Sequence, residues 1–181
     1  MDRQLEHVLA EDYLADLPGR PLPELRALRA ECQAVETQLS YLRRLVQGRH
    51  DIVAGEVERR RSGGDPVDVH ALVERLPDIL SDRIRGSGPG RLPTTIEAEE
   101  PTGALADRLA ALSLSVPTDQ PDLATDPQLA DAAAELAEIE AEVSTLRRAM
   151  FDRIDAIEAE LTARYRDGSA QVDDLLADAA E

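Results

Sequence analysis

The chain has 181 residues, with 20 basic against 37 acidic side chains and a formal net charge of −17. Every one of those basic residues is Arg, and three Tyr and one Phe are the only aromatics. So acidic a surface opposes direct binding to a DNA backbone, and so few large aromatic anchors argue against an ordinary compact α/β core.

Ala, Leu, Glu and Arg dominate instead, the composition of long helices and coiled coils. The acidic surplus suits solubility, or docking to a basic partner protein. A single cysteine, Cys32, excludes an intramolecular disulfide framework and a Cys-based zinc site. His7, His50 and His70 are scattered without ligand spacing, so no metal is expected. The N-terminus carries no basic region followed by an apolar run, and nowhere do about 18 apolar residues run together. The expectation is a cytoplasmic protein with no signal peptide and no membrane span.

Residues 1–17 place Leu5, Val8, Leu9, Leu14 and Leu17 near helical spacing, which predicts a short amphipathic segment before the breaker PGRPLP. A long helix then begins near Pro23, a residue welcome in a first turn. Leu25, Cys32, Leu39, Val46 and Val53 recur every seven residues, as do Leu28, Val35 and Leu42 until Arg49 interrupts the series. These are a and d positions of a coiled-coil seam that ends near Arg61, at SGGDP.

The connection holds apolar residues at 69–80 and 105–112 that suggest short helices, among stretches whose composition suggests flexibility. A second long helix follows Pro127, with Leu129, Leu136, Val143, Met150 and Ile157 as a positions and Ala132, Ile139 and Leu146 as d positions. After Met150 the stripe moves on to Ile154, Ile157 and Leu161, a shift resembling a stutter. Each helix of roughly 40 residues would extend about 60 Å. The fold class is therefore all-α: an antiparallel two-helix coiled-coil hairpin with short flanking helices and a long, partly disordered connection. Its regions are a helical segment at 1–22, helix one at 23–61, the connection at 62–126, helix two at 127–166 and an acidic tail at 167–181.

The two long helices repeat more than their seam. Shifting the sequence by 104 residues lays ETQLSYLRRLVQGRHD (36–51) over EAEVSTLRRAMFDRID (140–155) in the same heptad register. Packing explains a repeated apolar seam; it does not explain a repeated polar stripe. The first stripe is Glu36, Ser40, Arg43, Gln47 and Asp51, with spacings of 4, 3, 4 and 4. At helical pitch these five span an arc of roughly 80°, on e, b and f positions beside the seam. The second is Glu140, Ser144, Arg147 and Asp155, with Phe151 where the first copy has Gln47.

In an antiparallel pair the two stripes fall on the same side, so one composite polar site with local two-fold symmetry is expected. Its guanidinium, carboxylate, amide and hydroxyl groups suit guanine. Arg can fork onto O6 and N7, a carboxylate can accept from N1–H and N2–H₂, and further arginines can meet phosphates. A two-fold ligand with two guanines and two phosphates fits, and cyclic di-GMP is that molecule.

The doubled pattern E-x3-S-x2-R-x3-Q-x3-D on such a coiled coil resembles the RsiG-type anti-sigma factors. That resemblance implies cyclic di-GMP as regulatory ligand and a WhiG-type sigma factor, which drives sporulation genes, as the partner sequestered in the loaded state. It implies ligand contacts from Glu36, Ser40, Arg43, Gln47, Asp51, Glu140, Ser144, Arg147 and Asp155. Phe151 departs from the pattern; it packs against a base or ribose, or only covers the seam.

Several residues are read more plainly. Arg44 and Arg148 at f positions could reach phosphates or form surface ion pairs with nearby Glu. Arg49 and Arg153, at d positions, are expected to snorkel or to pair with Glu. Cys32 is read as a small core hydrophobe. No nucleophile–base pair and no glycine-rich phosphate loop is present, so no enzyme is expected. The competing reading is a ligand-independent coiled-coil adaptor.

Overall fold

The computed structural model describes residues 1–63 and 101–168. They form four α-helices and two short 3₁₀ turns, with no strand among the described residues. In chain order these are α1 (Asp2–Leu9), a 3₁₀ turn at Leu17–Gly19, α2 (Leu22–Arg61), α3 (Ala104–Ser115), a 3₁₀ turn at Pro121–Leu123 and α4 (Asp126–Asp167).

Local chemistry sets the ends of the long helices. Pro23 and Pro127 sit in first turns, where no intrahelical N–H is needed. Thr125 and Gln128 exchange bonds across the start of α4: the Thr125 N–H donates to Gln128 Oε1 at 2.8 Å, and the Gln128 N–H to Thr125 Oγ1 at 3.4 Å. That reciprocal cap satisfies two donors the helix itself leaves open. Just past α2 and α4 stand Gly63 and Gly168, at φ +63° and +79°, a left-handed turn that glycine adopts without a Cβ clash.

The helical segment expected over residues 1–17 is shorter than that. Only Asp2–Leu9 is α-helical, and Glu11–Asp16 runs through turns, with Asp16 itself left-handed at φ 53°. Tyr13 explains what holds this stretch. Its hydroxyl donates to the Leu28 carbonyl at 3.2 Å and meets Glu31 Oε2 at 3.0 Å, so the turn is pinned onto α2 by a side chain and need not stay helical. The region around 105–112 forms α3, while the segment expected at 69–80 lies outside the described residues.

The offset of 104 residues that aligns the stripes also carries Leu17–Gly19 onto Pro121–Leu123 and Leu22 onto Asp126, and α1 onto the body of α3. The chain is thus a doubled run of short helix, 3₁₀ turn and long helix. It divides into two compact units, and among the described residues each contains one short helix, one 3₁₀ turn and part of both long helices.

The first unit joins Met1–Ser40 to the chain from Ser144 onward. Within it Leu25, Cys32, Val35 and Leu39 of α2 are buried with Met150, Ile157 and Leu161 of α4. Arg26 of α2 donates to the Tyr165 hydroxyl at 2.8 Å, and Glu36 pairs with Arg147, so α4 runs antiparallel to α2 here. The second unit, Tyr41–Val143, buries Leu42, Val46 and Val53 with Leu129, Leu136 and Ile139. Gln47 reaches Glu140 and Arg60 reaches Asp126, the same antiparallel order. Burying a Leu, Val or Ile side chain contributes about 1.5–3 kcal/mol, so the seam is the main stabilising feature of each unit.

The arginines that break the seam do not do what the heptad pattern suggests. Arg153 neither snorkels nor pairs with Glu: its Nε and Nη2 donate to the carbonyls of Val8 and Leu9 at 2.6 and 3.0 Å. Those carbonyls end α1, where no intrahelical donor remains and a cation is favoured. Arg49, its repeat equivalent, donates to the Leu109 carbonyl of α3 at 2.6 Å, and burial lowers its pKa. Each interrupting arginine therefore ties a short helix onto a long one.

Candidate functional site

The stripe residues stand beside the seam, and Glu36, Gln47, Glu140 and Arg147 make contacts across to the partner helix. Glu36, Ser40, Arg43, Gln47, Glu140, Ser144 and Arg147 are half-buried; Asp51, Phe151 and Asp155 are exposed. The two units hold different parts of the two stripes, and their geometry differs.

In the first unit the Glu36 carboxylate is the hub. Ser40, one turn along α2, donates its hydroxyl to Glu36 Oε1 at 2.5 Å. Across the seam Arg147 donates to the same oxygen, through Nη2 at 3.0 Å and Nε at 3.3 Å. The side chains of this ion pair are 21% and 18% exposed, so water screens it only partly. The Arg147 guanidinium also lies over the Phe151 ring, 5.4 Å from its centroid, a cation–π distance. Asp155, one turn beyond Phe151, is exposed and lines a shallow groove on α4 with Glu158 and Thr162.

In the second unit the polar contact across the helices is weaker. Gln47 Nε2 donates to Glu140 Oε1 at 3.4 Å. Arg43, the equivalent of Arg147, forms no ion pair or side-chain hydrogen bond among the described residues. Among the described residues it is a half-buried cation without a protein anion. Asp51 is exposed one turn beyond Gln47. Arg44 and Arg148 are also exposed and form no ion pair among the described residues.

The motif thus brings carboxylate, guanidinium, amide and hydroxyl together across the helix pair: Glu36, Ser40 and Arg147 in one unit, Gln47 and Glu140 in the other. Such groups can hold a polar, anionic ligand by charge-assisted bonds. Among the described residues, no group of three or more His, Cys, Asp or Glu is placed to hold a metal ion. No helix among them is long and apolar enough to cross a membrane.

Sequence reasoning missed a second repeated polar set, which frames the stripes. Glu56 is only 2% exposed, at a d position, and Arg59 and Arg60 both bond it. Arg60 then reaches on to Asp126 and to the carbonyls of Asp122 and Ala124, fastening the 3₁₀ turn before α4. In the first unit Arg164 bonds Glu160 at 2.7 Å and the carbonyls of Leu17, Pro18 and Arg20. Glu160 and Arg164 are the repeat equivalents of Glu56 and Arg60, and they hold the equivalent turn. Extending the 104-residue offset past Asp155 would have found them; as single pairs they look like ordinary i,i+4 surface charges.

The family relationship follows the same doubling. A sequence model described as RsiG-like matches residues 11–80 and 117–179, two stretches that each take in one long helix and one copy of the stripe. Helices α1 and α3 lie outside those spans. No curated protein matches the chain. With well over half of its length matched, once in each repeat, the chain belongs to the RsiG-like family of regulatory anti-sigma factors.

Proposed function

We propose that this protein is a cytoplasmic anti-sigma factor whose activity depends on cyclic di-GMP, and that it sequesters a WhiG-type sporulation sigma factor in the nucleotide-loaded state. The observation that carries the reading is the doubled stripe in one register, with its polar groups meeting across the helix pair at Glu36–Arg147 and Gln47–Glu140.

Arg43 is the cation ready for a phosphate or a guanine edge, since among the described residues it has no protein anion to give up. Arg147 engages the ligand by exchanging part of its bond to Glu36, an exchange of one charge-assisted pair for another. Asp51 and Asp155 supply acceptors for guanine N1–H and N2–H₂, while Ser40, Ser144, Gln47 and Glu140 complete the polar lining. Ligand that bridges α2 and α4 stiffens the pair and favours the form that binds sigma. The coupling is reciprocal, so sigma must tighten the ligand by the same factor. The acidic surface then opposes the basic DNA-binding regions of the sigma factor.

Titration calorimetry of the purified chain with cyclic di-GMP, alone and with sigma factor, tests this. Saturable heat that strengthens with sigma is the expected result. An absence of heat and of thermal shift at tens of micromolar ligand would favour the adaptor instead, with Glu36–Arg147 acting only as a clamp between helices.

A further inference from the structure

Phe151 is the single phenylalanine of the chain, and it stands where the other stripe carries Gln47. It lies outside the seam and is 44% exposed, one of three large apolar side chains left open to solvent among the described residues. A core role does not explain it, and its surroundings suggest another. The Arg147 guanidinium lies over its ring, and Glu36 engages that guanidinium through Nε and Nη2. Those N–H groups point outward in the guanidinium plane, so the carboxylate takes an edge and leaves the flat faces open to stacking. The guanidinium carbon stands over the Phe151 ring, 5.4 Å from its centroid. Ring and cation thus stand together, beside the Glu36 carboxylate that Ser40 also bonds.

We infer that Phe151 and Arg147 form a stacking platform for a purine base, so that the two copies of the stripe recognise their ligand by different chemistry. Stacking on aromatic rings and guanidinium planes is a general way of holding unpaired bases. The Gln47 copy offers an amide at the same position, which reads a hydrogen-bonding edge. The inference deepens the proposed nucleotide site, and it assigns to Phe151 a contact that the doubled motif does not contain.

The single Phe makes the test direct. With phenylalanine isotopically labelled, NMR of the full chain gives one set of ring resonances to follow during titration with cyclic di-GMP, and separately with millimolar GMP. A base stacked on the platform moves these resonances upfield by ring current, on the same saturation curve as calorimetry. Phe151→Leu is expected to weaken cyclic di-GMP about tenfold, while Phe151→Trp keeps the affinity. Ring resonances unmoved at calorimetric saturation, or Phe151→Leu binding like the parent, would overturn the platform and leave the nucleotide site standing. Shifts with GMP but none with cyclic di-GMP would support the platform and overturn the proposed ligand. No shift with either, and no heat, would overturn both.

Discussion

The two units are built from one pattern, yet they place their strongest polar contacts differently. In the second unit the strength lies at the helix ends: Glu56 is buried between Arg59 and Arg60, and Arg60 fastens the turn before α4. Across its helix pair the stripe makes a 3.4 Å amide contact, and Arg43 is unpaired among the described residues. In the first unit the equivalent of Arg59 is Ala163, Glu160 keeps 21% exposure, and the end clasp is correspondingly softer. Its stripe is the tighter one, closed by Glu36, Ser40 and Arg147. Equivalent sequence therefore fixes which residues can meet; one or two differing neighbours decide how firmly they do. A stripe that is open in one unit and internally paired in the other should respond unequally to mutation.

The largest expected effect separates the two end clasps. Glu56→Gln should cost about 2–3 kcal/mol, because Arg59 and Arg60 lose their buried charged acceptor, whereas Glu160→Gln should cost about 0.5 kcal/mol. Urea unfolding with unchanged slope would show both values, and equal losses would erase the contrast. Acid sharpens it. The bonds from Arg59, opposed by burial and aided by Arg60, hold the Glu56 carboxyl down at about 2 against its ordinary 4.5. A depressed carboxyl stabilises the fold above its unfolded pKa, and that contribution is lost as the pH falls from about 4.5 towards 2. Glu56→Gln should flatten the stability profile in that window; an unaltered acid limb would mean the clasp does not carry it.

Next come the two motif arginines. Arg43→Ala should weaken cyclic di-GMP by about 2 kcal/mol and leave thermal stability unchanged, since no partner among the described residues is lost. Arg147→Ala should weaken the ligand and also destabilise the fold by about 1 kcal/mol, because half-buried Glu36 loses its cation. Calorimetry and melting curves on the same samples separate these outcomes. Destabilisation by Arg43→Ala as large as that by Arg147→Ala would break the comparison.

Tyr13→Phe tests a brace found in the first unit only, where the equivalent position of the second is Pro117. Burial, with Cys32 and Glu31 beside it, raises the phenol's pKa well above the usual tyrosine range. Losing its bonds to the Leu28 carbonyl and Glu31 should cost about 1 kcal/mol in chemical unfolding, and an unchanged midpoint would show that the brace is idle. The smallest effect is expected at Gln47→Ala. The neutral amide makes a long contact, so ligand affinity should fall by about 0.5–1 kcal/mol, less than for Arg43→Ala. Equal losses at the two positions would mean that charge is not what the second unit contributes.

Much of this architecture was legible in the sequence. Seven-residue spacing placed Leu25, Cys32, Leu39, Val46 and Val53 in one seam and Leu129, Leu136, Val143, Met150 and Ile157 in the other, and all ten are buried. Burial also raises the Cys32 thiol's pKa, which suits a core residue. The doubled stripe led to the family now matched. One seam position differs: Leu146, counted as d, is only half-buried, next to the point where the stripe shifts to Ile154.

Apolar period and residue type are local properties, so the sequence by itself determined the helices, their seam, the repeat and the residue types of the candidate site. The acceptors of Arg49, Arg153, Arg60 and Arg164 were decided only by the tertiary structure. Most of them are main-chain carbonyls, a group that every residue carries and that no side-chain pattern marks. The same holds for the difference between Arg43 and Arg147. Both are the third residue of one motif, and only the packing of the opposite helix leaves one open and sets a carboxylate and a ring against the other.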